Sequence, residues 1–501
     1  MQLTKVTNMK IKPLQKIWPA AQTLAGRRHQ ATDARPYKEV PGPPSWPVIG
    51  PLLEFIPGGS IGDMTLDPKV FRLLNEKFGD IVRVDPILTK PGMCFLFDPE
   101  AISQVLRGES VYPVRPGFDS LTYYRKKYMK TDITGLITEH GEKWKTIRSK
   151  VNPVLLHPKI MKLYEPVIDE VAQDMIKRIR SLRDSDLMIR EGLDYELNKW
   201  GLESISTVAL GGRLGALDPD LPEDSPVAQL IQCVHDVLEV LQEMDFNKPG
   251  MWKYIPTKQF REAMKLYDQQ MQLSKYFVMR AVKDIERNRN VNSNEKSVLE
   301  KLLEIDEDIA VVMASDMLFG GVDASAHTVL AIMHLLATNP EKQTKLREEV
   351  LKNGDRKYLK ACIKEGMRLK PIAVGNGRDT SKEYILHGYR IPKKTRVIFA
   401  HLAISMKETQ YPRPNDFIPE RWLTTKEDPL FHGHAHPFAT MPFGFGARQC
   451  IGKPIAMIEL EAIISRLVQN FEIGWQGPQP AFKLVALNYF VGPFGFVFKD
   501  V

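Results

Sequence analysis

Pro442-Phe-Gly-Phe-Gly-Ala-Arg-Gln-Cys450-Ile-Gly452 carries a cysteine out of a glycine-rich loop and straight into the start of a helix. Lys453-Pro454 follows, and proline suits the first helical turn, where its missing N–H costs nothing. Leu460, Ile463, Ile464, Leu467, Val468 and Phe471 then recur at helical spacing on one face. A helix N-terminus and its free amides favour the thiolate form of a cysteine, and the thiolate is the form that ligates metals. A buried structural cysteine would explain the sulfur but not the glycines and aromatics spaced before it. A phosphate-binding loop would end in lysine and serine, which do not follow here.

Upstream, Asp308 to Thr338 is apolar nearly all round for about 31 residues, roughly 47 Å at 1.5 Å per residue, and Asn339-Pro340 stops it. Such a helix has to cross the centre of the protein. A bilayer span is excluded by Asp316 and Asp323, and Gly320-Gly321 weakens an isolated helix by about 1 kcal/mol per glycine relative to alanine. Those glycines imply either a closely packed neighbouring helix or a flat ligand lying against the backbone. Short β-type runs, Ile81 to Val84 and Met93 to Phe97, precede the helical middle. A second β-rich region follows Pro371, with Tyr384 to Leu386, a turn at His387-Gly388 and Val397 to Ala400, and strand-like pieces close the chain around Leu484 and Phe496.

The cysteine loop resembles that of the cytochrome P-450 superfamily, Phe-x-x-Gly-x-Arg-x-Cys-x-Gly, at Phe443, Gly446, Arg448, Cys450 and Gly452. The cysteine thiolate of these proteins is itself the standard example of a sulfur ligand that pushes electron density into haem iron to favour O–O cleavage. The resemblance implies a mainly α fold with a small β-rich lobe, the long central helix lying over haem b and Cys450 as the axial ligand to iron. It implies that Phe443 packs over the sulfur and that Arg448 pairs with a haem propionate. Other landmarks follow in the family's order from about residue 40 onward. Glu365-Gly-Met-Arg368 resembles the Glu-x-x-Arg helix signature, and Phe417-Ile-Pro-Glu-Arg421-Trp422 the segment whose arginine completes a buried structural triad with it. Alone, an i,i+3 ion pair on a helix surface contributes only about 0.2 to 0.5 kcal/mol, whereas three buried charges need one another.

Trp144-Lys-Thr-Ile-Arg148 resembles the family's Trp-x-x-x-Arg, with indole and guanidinium on one helix face towards a propionate. Arg378 resembles the arginine that grips the other propionate. Gly320-Gly-Val-Asp323-Ala-Ser325 is similar to the oxygen-activation motif, with Gly320 against the haem and Asp323 feeding protons to bound dioxygen. The motif's first threonine is Ala324 here, so Ser325 or an ordered water would have to steady the bound oxygen. Lys360 and Lys364, one turn apart, match the pair with which mitochondrial members receive an acidic ferredoxin. Tyr112 to Lys127 and Val151 to Leu155 look most like the insect mitochondrial branch associated with xenobiotic and steroid oxidation. A second departure is the short connection Leu351 to Tyr358, where relatives carry more chain.

The remaining features agree with this reading. The chain of 501 residues is 43% hydrophobic and carries four scattered cysteines, so it can bury a large core, and it encodes neither a disulfide framework nor a zinc ribbon. A net charge of +8, not gathered into one arm, points away from nucleic acid and towards a local docking patch. Residues 1–32 are rich in lysine and arginine and free of acid, as a mitochondrial presequence is, and no run in them approaches the ~18 apolar residues of a membrane anchor. Residues 33–50, which include Val40-Pro-Gly-Pro-Pro-Ser-Trp-Pro-Val-Ile-Gly50, read as a stiff proline-rich connector into a catalytic domain at 51–501. His432, His434 and His436 alternate in a loop without carboxylate or cysteine partners, a poor metal site.

The expected reaction takes RH and dioxygen to ROH and water. Electrons come from a reduced, adrenodoxin-like ferredoxin and its NADPH-dependent reductase, at the matrix side of the mitochondrial inner membrane, with peripheral membrane association. The hydrophobic substrate would lie against Phe118, Leu318, Phe319, Val374 and Leu487. Ala324 motivates two rivals: a haem-thiolate isomerase, dehydratase or peroxygenase that needs no external electrons, and a degenerate haem-binding protein without turnover.

Overall fold

The computed structural model describes residues 33–56, 58–62, 69–129, 131–247, 250–288, 296–352, 354–485 and 487–501. The presequence expected at 1–32 lies outside them.

The central helix runs Glu307–Ala337. The Asp306 side chain caps it by accepting the Ile309 N–H at 3.0 Å, and Asn339-Pro340 opens the next helix, Pro340–Leu351. Among the described helices it alone is long and apolar enough to cross a membrane, yet its apolar window is 78% buried in protein, so it is the spine of the core. Asp316, which interrupts the apolar run, pairs with the enclosed Arg125 at 2.7 Å and accepts the Leu136 N–H at 3.1 Å. The two glycines turn out to serve different purposes. A Cβ on Gly321 would come within 2.8 Å of Ile205, on the helix Leu193–Ala209. That helix answers with Gly201, whose Cβ would lie 3.0 Å from the Val322 carbonyl. Gly320, by contrast, faces open space.

Around this spine the helices Gly141–Leu155, Pro226–Leu241, Lys357–Leu369 and Lys453–Asn470 pack into one large apolar cluster. The β lobe is built on a four-stranded sheet in the order Ile81–Val84, Met93–Leu96, Arg396–Phe399, Asn376–Asp379. The middle pair is parallel and both outer pairs are antiparallel. The expected His387-Gly388 turn joins Tyr384–Leu386 to Tyr389–Ile391, with positive φ at both residues. The proline-rich stretch 33–50 is not the extended connector its prolines suggest: Arg35–Pro36 pair with Tyr389–Ile391, Tyr37–Glu39 make a 3-10 turn, Val40 is buried, and Trp46 and Gly50 close a tight turn on each other. The short connection after Leu351 closes with Arg356 in the left-handed region. The Glu349 carboxylate caps the helix beyond it by accepting the N–H groups of Tyr358 at 2.7 Å and Leu359 at 2.9 Å.

Two buried polar links hold the segments that support the cysteine loop. In the first, Glu365, Arg368 and Arg421 meet without solvent exposure. Arg368 donates to both carboxylate oxygens at 2.8 and 2.9 Å, Arg421 at 2.9 Å and the Trp422 indole at 2.9 Å. The remaining guanidinium donors go to the carbonyls of Ser405, Pro412 and Pro414. In the second, Ser325 on the central helix donates to Glu459 on the cysteine helix at 2.9 Å.

Arg421→Ala should strand part of the Glu365 charge and cost about 3–5 kcal/mol, read as a large drop in denaturation midpoint by circular dichroism. Burial pushes the Glu459 carboxyl up to about 8. Between the ordinary carboxyl value of 4.5 and that point, the folded chain keeps a proton that the unfolded chain has released. Stability contributed at low pH is therefore lost as pH rises through this window. Glu459→Gln should flatten that dependence and melt a few degrees above the native chain at pH 8, with little difference at pH 5.

Candidate active site

The loop before Cys450 needs its glycines. Gly444 and Gly446 have φ of 72° and 73°, which side chains other than glycine rarely adopt. With them in place the loop folds back, and the Cys450 N–H donates to the Phe443 carbonyl at 2.9 Å. Of the four cysteines only Cys450 is exposed. Surrounding protein still raises its thiol through burial, while the Gly452 and Lys453 amides and the cations of Arg148 and Arg115 pull it back towards the thiolate. A side chain on Gly452 would touch the sulfur at 3.8 Å.

Four arginines converge here. Arg448 lies 3.8 Å above the buried Trp144 ring. It donates to the carbonyls of Pro113 at 2.9 Å, Leu136 at 3.3 Å and Glu139 at 2.9 Å. Arg148, one turn after Trp144 on the helix Gly141–Leu155, donates to the Gln449 carbonyl at 2.8 Å. Arg378, on the edge strand of the four-stranded sheet, pairs with Glu109 at 2.5 Å. The fourth is Arg115, which stands over Phe118 at 5.2 Å and reaches the Ile137 carbonyl at 3.4 Å. Burial, then repulsion from the other arginines, brings Arg448 down to about 9, and burial and Arg378 bring Arg115 to about 10. The Nε atoms of Arg115 and Arg148 are buried without a protein partner. An assembly of cations balanced by so little acid is built for an anion.

On the central helix, Gly320 is exposed and Gly321 and Ala324 partly so, while the rest of that stretch is buried. Gly320 and Ala324 lie one turn apart, so the helix offers a flat patch with nothing larger than a methyl on it. Leu318, expected to line the substrate space, is fully enclosed instead, because at 100° per residue it sits about 200° round the helix from Gly320. Phe118 and Leu487 are partly exposed, and Phe319 and Val374 are buried. Asp323 is 1% exposed. It accepts the Tyr489 hydroxyl and lies 3.6 Å from His235 Nδ1. Ser325 turns to Glu459 as described, so its hydroxyl is already committed.

Lys360 and Lys364 are exposed on the helix Lys357–Leu369. Lys360 approaches Glu461 at 3.9 Å and Lys364 lies 5.7 Å over the Trp422 ring. The three loop histidines have separate partners: His432 stacks on Trp422, His434 meets Phe431 edge-on and His436 pairs with Glu100 at 3.3 Å.

Sequence reasoning passed over Arg115, Glu109, His235, Tyr489 and Glu459. Arg115 stands between prolines in Pro113-Val-Arg-Pro116, a rigid setting that could have drawn notice. The others gain meaning only from contacts with residues remote in the chain. The donor set fits haem: an accessible cysteine sulfur with amides aimed at it, unpartnered buried guanidinium atoms suited to two propionates, and a bare patch on the central helix.

Comparison with known proteins agrees. The model of the family described as Cytochrome P-450 matches residues 40–486. Cytochrome P-450 CYP12A2 of Musca domestica is 36% identical, the match covering 96% of this chain and 94% of that protein. Probable cytochrome P-450 12c1, mitochondrial, of Drosophila melanogaster is 36% identical over 88% and 87%. Cytochrome P-450 12b1, mitochondrial, of Drosophila acanthoptera is 34% identical over 89% and 86%. With a cysteine loop, an arginine cluster and an end-to-end likeness of this extent, the chain belongs to the cytochrome P-450 family of haem-thiolate monooxygenases.

Proposed function

We propose that this chain is a mitochondrial monooxygenase that oxidises a hydrophobic small molecule, xenobiotic or steroid-like, with electrons from a ferredoxin. In this reading Cys450 is the axial ligand. Arg115, Arg148, Arg378 and Arg448, with Trp144, take the propionates, and Phe443 shields the sulfur. When bound, haem supplies the activation of dioxygen and the insertion of one oxygen atom into the substrate. The protein's part is to present the sulfur among amides and arginines that favour its thiolate against the effect of burial, to keep the bare backbone at Gly320 against the cofactor, and to move protons inward through Asp323. The observation that carries this reading is the exposed Cys450 sulfur, met by two backbone amides in a loop closed by Gly444 and Gly446.

The partner and the location rest on other features. Lys360 and Lys364 present positive charge from the helix that also bears Glu365 and Arg368, and a small acidic protein complements such a pair. Two of the relatives named above are called mitochondrial, which supports the same location here. Val48 and Tyr254 are 79% and 74% exposed. Leu88 adjoins Val48, and Gly250 lies against Thr89, so these apolar tips share one face suited to resting on the matrix side of the inner membrane.

One observation favours a second reading. Ala324 has no hydroxyl and that of Ser325 is held by Glu459, an arrangement that suits an electron-independent isomerase, dehydratase or peroxygenase. Product formed without ferredoxin and NADPH would select it, and strict dependence on both selects the first.

Cys450→Ala should abolish the red-shifted Soret band of the dithionite-reduced, carbon monoxide-bound protein. An unchanged band in that variant refutes the assignment. Lys360→Glu with Lys364→Glu should raise the ferredoxin KM at low salt by about tenfold or more and leave that spectrum intact, with the difference shrinking at high ionic strength.

A further inference from the structure

Three side chains around Asp323 take no part in holding haem: His235, Tyr489 and His327. Asp323 is shut off from water, so a proton that leaves its carboxyl group has to be replaced through a neighbour. Its two oxygens face different surroundings. Oδ2 accepts the Tyr489 hydroxyl and lies 3.6 Å from His235 Nδ1. Oδ1 is buried and has no partner within the protein.

The three neighbours are not equivalent. Burial and the Asp323 charge keep the Tyr489 phenol protonated, so it orients the carboxylate without giving up its proton. His327 stacks on Tyr489 with ring centres 4.1 Å apart, and burial lowers its basicity, so it is a neutral wall. His235, on the helix Pro226–Leu241, keeps 37% of its side chain in solvent. Facing it are Asp323 from the central helix, the parallel ring of Tyr489 from the strand Leu487–Val491, the more distant His327, and Glu239 and Asp236 on its own helix. Lys483 lies behind Glu239 at 3.6 Å. Acid outweighs base in this ring, and Asp323 above all raises the imidazole above its ordinary value of 6.5, against the effect of burial. Only His235 both touches water and carries a proton readily near neutrality.

We propose that His235 is the positioning residue that reloads Asp323 with protons from solvent during turnover, while Tyr489 holds the carboxylate to receive them. This rests on the reading of Asp323 as the acid of the active site. In the step, the His235 Nδ1–H bond breaks, its electron pair stays on nitrogen, and the proton forms an O–H bond at Asp323 Oδ2. The neutral imidazole then regains a proton from water on its exposed side, and no electrons are exchanged. The 3.6 Å separation exceeds a hydrogen bond of about 2.7–3.2 Å, and a small rotation of the half-exposed ring closes it. A chain that lacks the hydroxyl at position 324 depends all the more on its carboxyl group for protons.

The test measures product formed per NADPH against pH with ferredoxin present, in the native enzyme, His235→Gln and Asp323→Asn. The carbon monoxide spectrum certifies that each variant folds and holds haem. Native coupling should fall as pH rises through the His235 pKa, above 6.5. His235→Gln should lose that limb and fall on the order of 10-fold at neutral pH, less than the 10²–10⁴ of a direct general acid. A second readout is independent of turnover. In the diamagnetic reduced, carbon monoxide-bound protein, the His235 imidazole followed by nitrogen-15 NMR should titrate above 6.5, and drop back in Asp323→Asn. A His235→Gln profile that overlays the native one, with Asp323→Asn impaired, overturns the role of His235 alone. Unimpaired Asp323→Asn overturns the Asp323 reading and this inference with it. A His235 titration that ignores the Asp323 substitution also overturns the inference.

Discussion

A buried carboxylate needs compensation on every side, and Glu365 obtains it from two separate stretches of chain. Arg368 comes from its own helix, Arg421 and Trp422 from the segment that runs on towards the cysteine loop, and the Ile418 amide closes the set. Removing any one charge leaves the others in a medium that solvates them poorly, so the contact is satisfied whole or not at all. That property makes it a fixed point. The helix Lys357–Leu369 is pinned to residues 412–422, and its outward face, with Lys360 and Lys364, is held in a constant relation to the loop that ends at Cys450.

The cysteine loop has the opposite electrostatic character. Around Glu365 two guanidiniums share one carboxylate and find backbone carbonyls for their other donors, whereas around Cys450 four arginines have far less to pair with. Arg115, Arg148, Arg378 and Arg448 repel one another, and Glu109 is the acid among them, its own carboxyl raised by burial although Arg378 pulls it down. Such an excess suits a ligand of opposite charge, and haem, the cofactor of this family, carries two propionates. In the proposed reading, folding and cofactor binding are linked through these same arginines.

Much of this was legible in the sequence, for definite physical reasons. The central helix could be read because an all-round apolar run of that length with Asn-Pro after it has few other solutions. The cysteine loop could be read because glycines at 444 and 446 mark a backbone that only they adopt readily. What could not be read depends on pairing across distance. Nothing local marks Glu459 as the partner of Ser325, or His235 as a neighbour of Asp323. The glycine pair was understood only as an alternative, helix neighbour or flat ligand. The structure divides it, Gly321 meeting Ile205 and Gly320 left bare. Leu318 lies about 200° round the helix from Gly320, and that angle encloses it.

The substitution at 324 ties these threads together. In a helix this enclosed, a hydroxyl has to bond something, and Ser325 has bonded Glu459, a carboxyl kept neutral by burial near pH 7. That bond joins the central helix to the cysteine helix and spends the hydroxyl on architecture. Asp323 Oδ1 remains unpartnered, while its twin oxygen is held by Tyr489 and approached by a partly exposed histidine. A carboxyl group arranged this way is anchored on one side and free on the other. In the proposed relay a proton from the solvent side lands on the anchored oxygen, Oδ2, and reaches the other side only when the carboxyl group turns about its Cβ–Cγ bond and exchanges its hold on Tyr489.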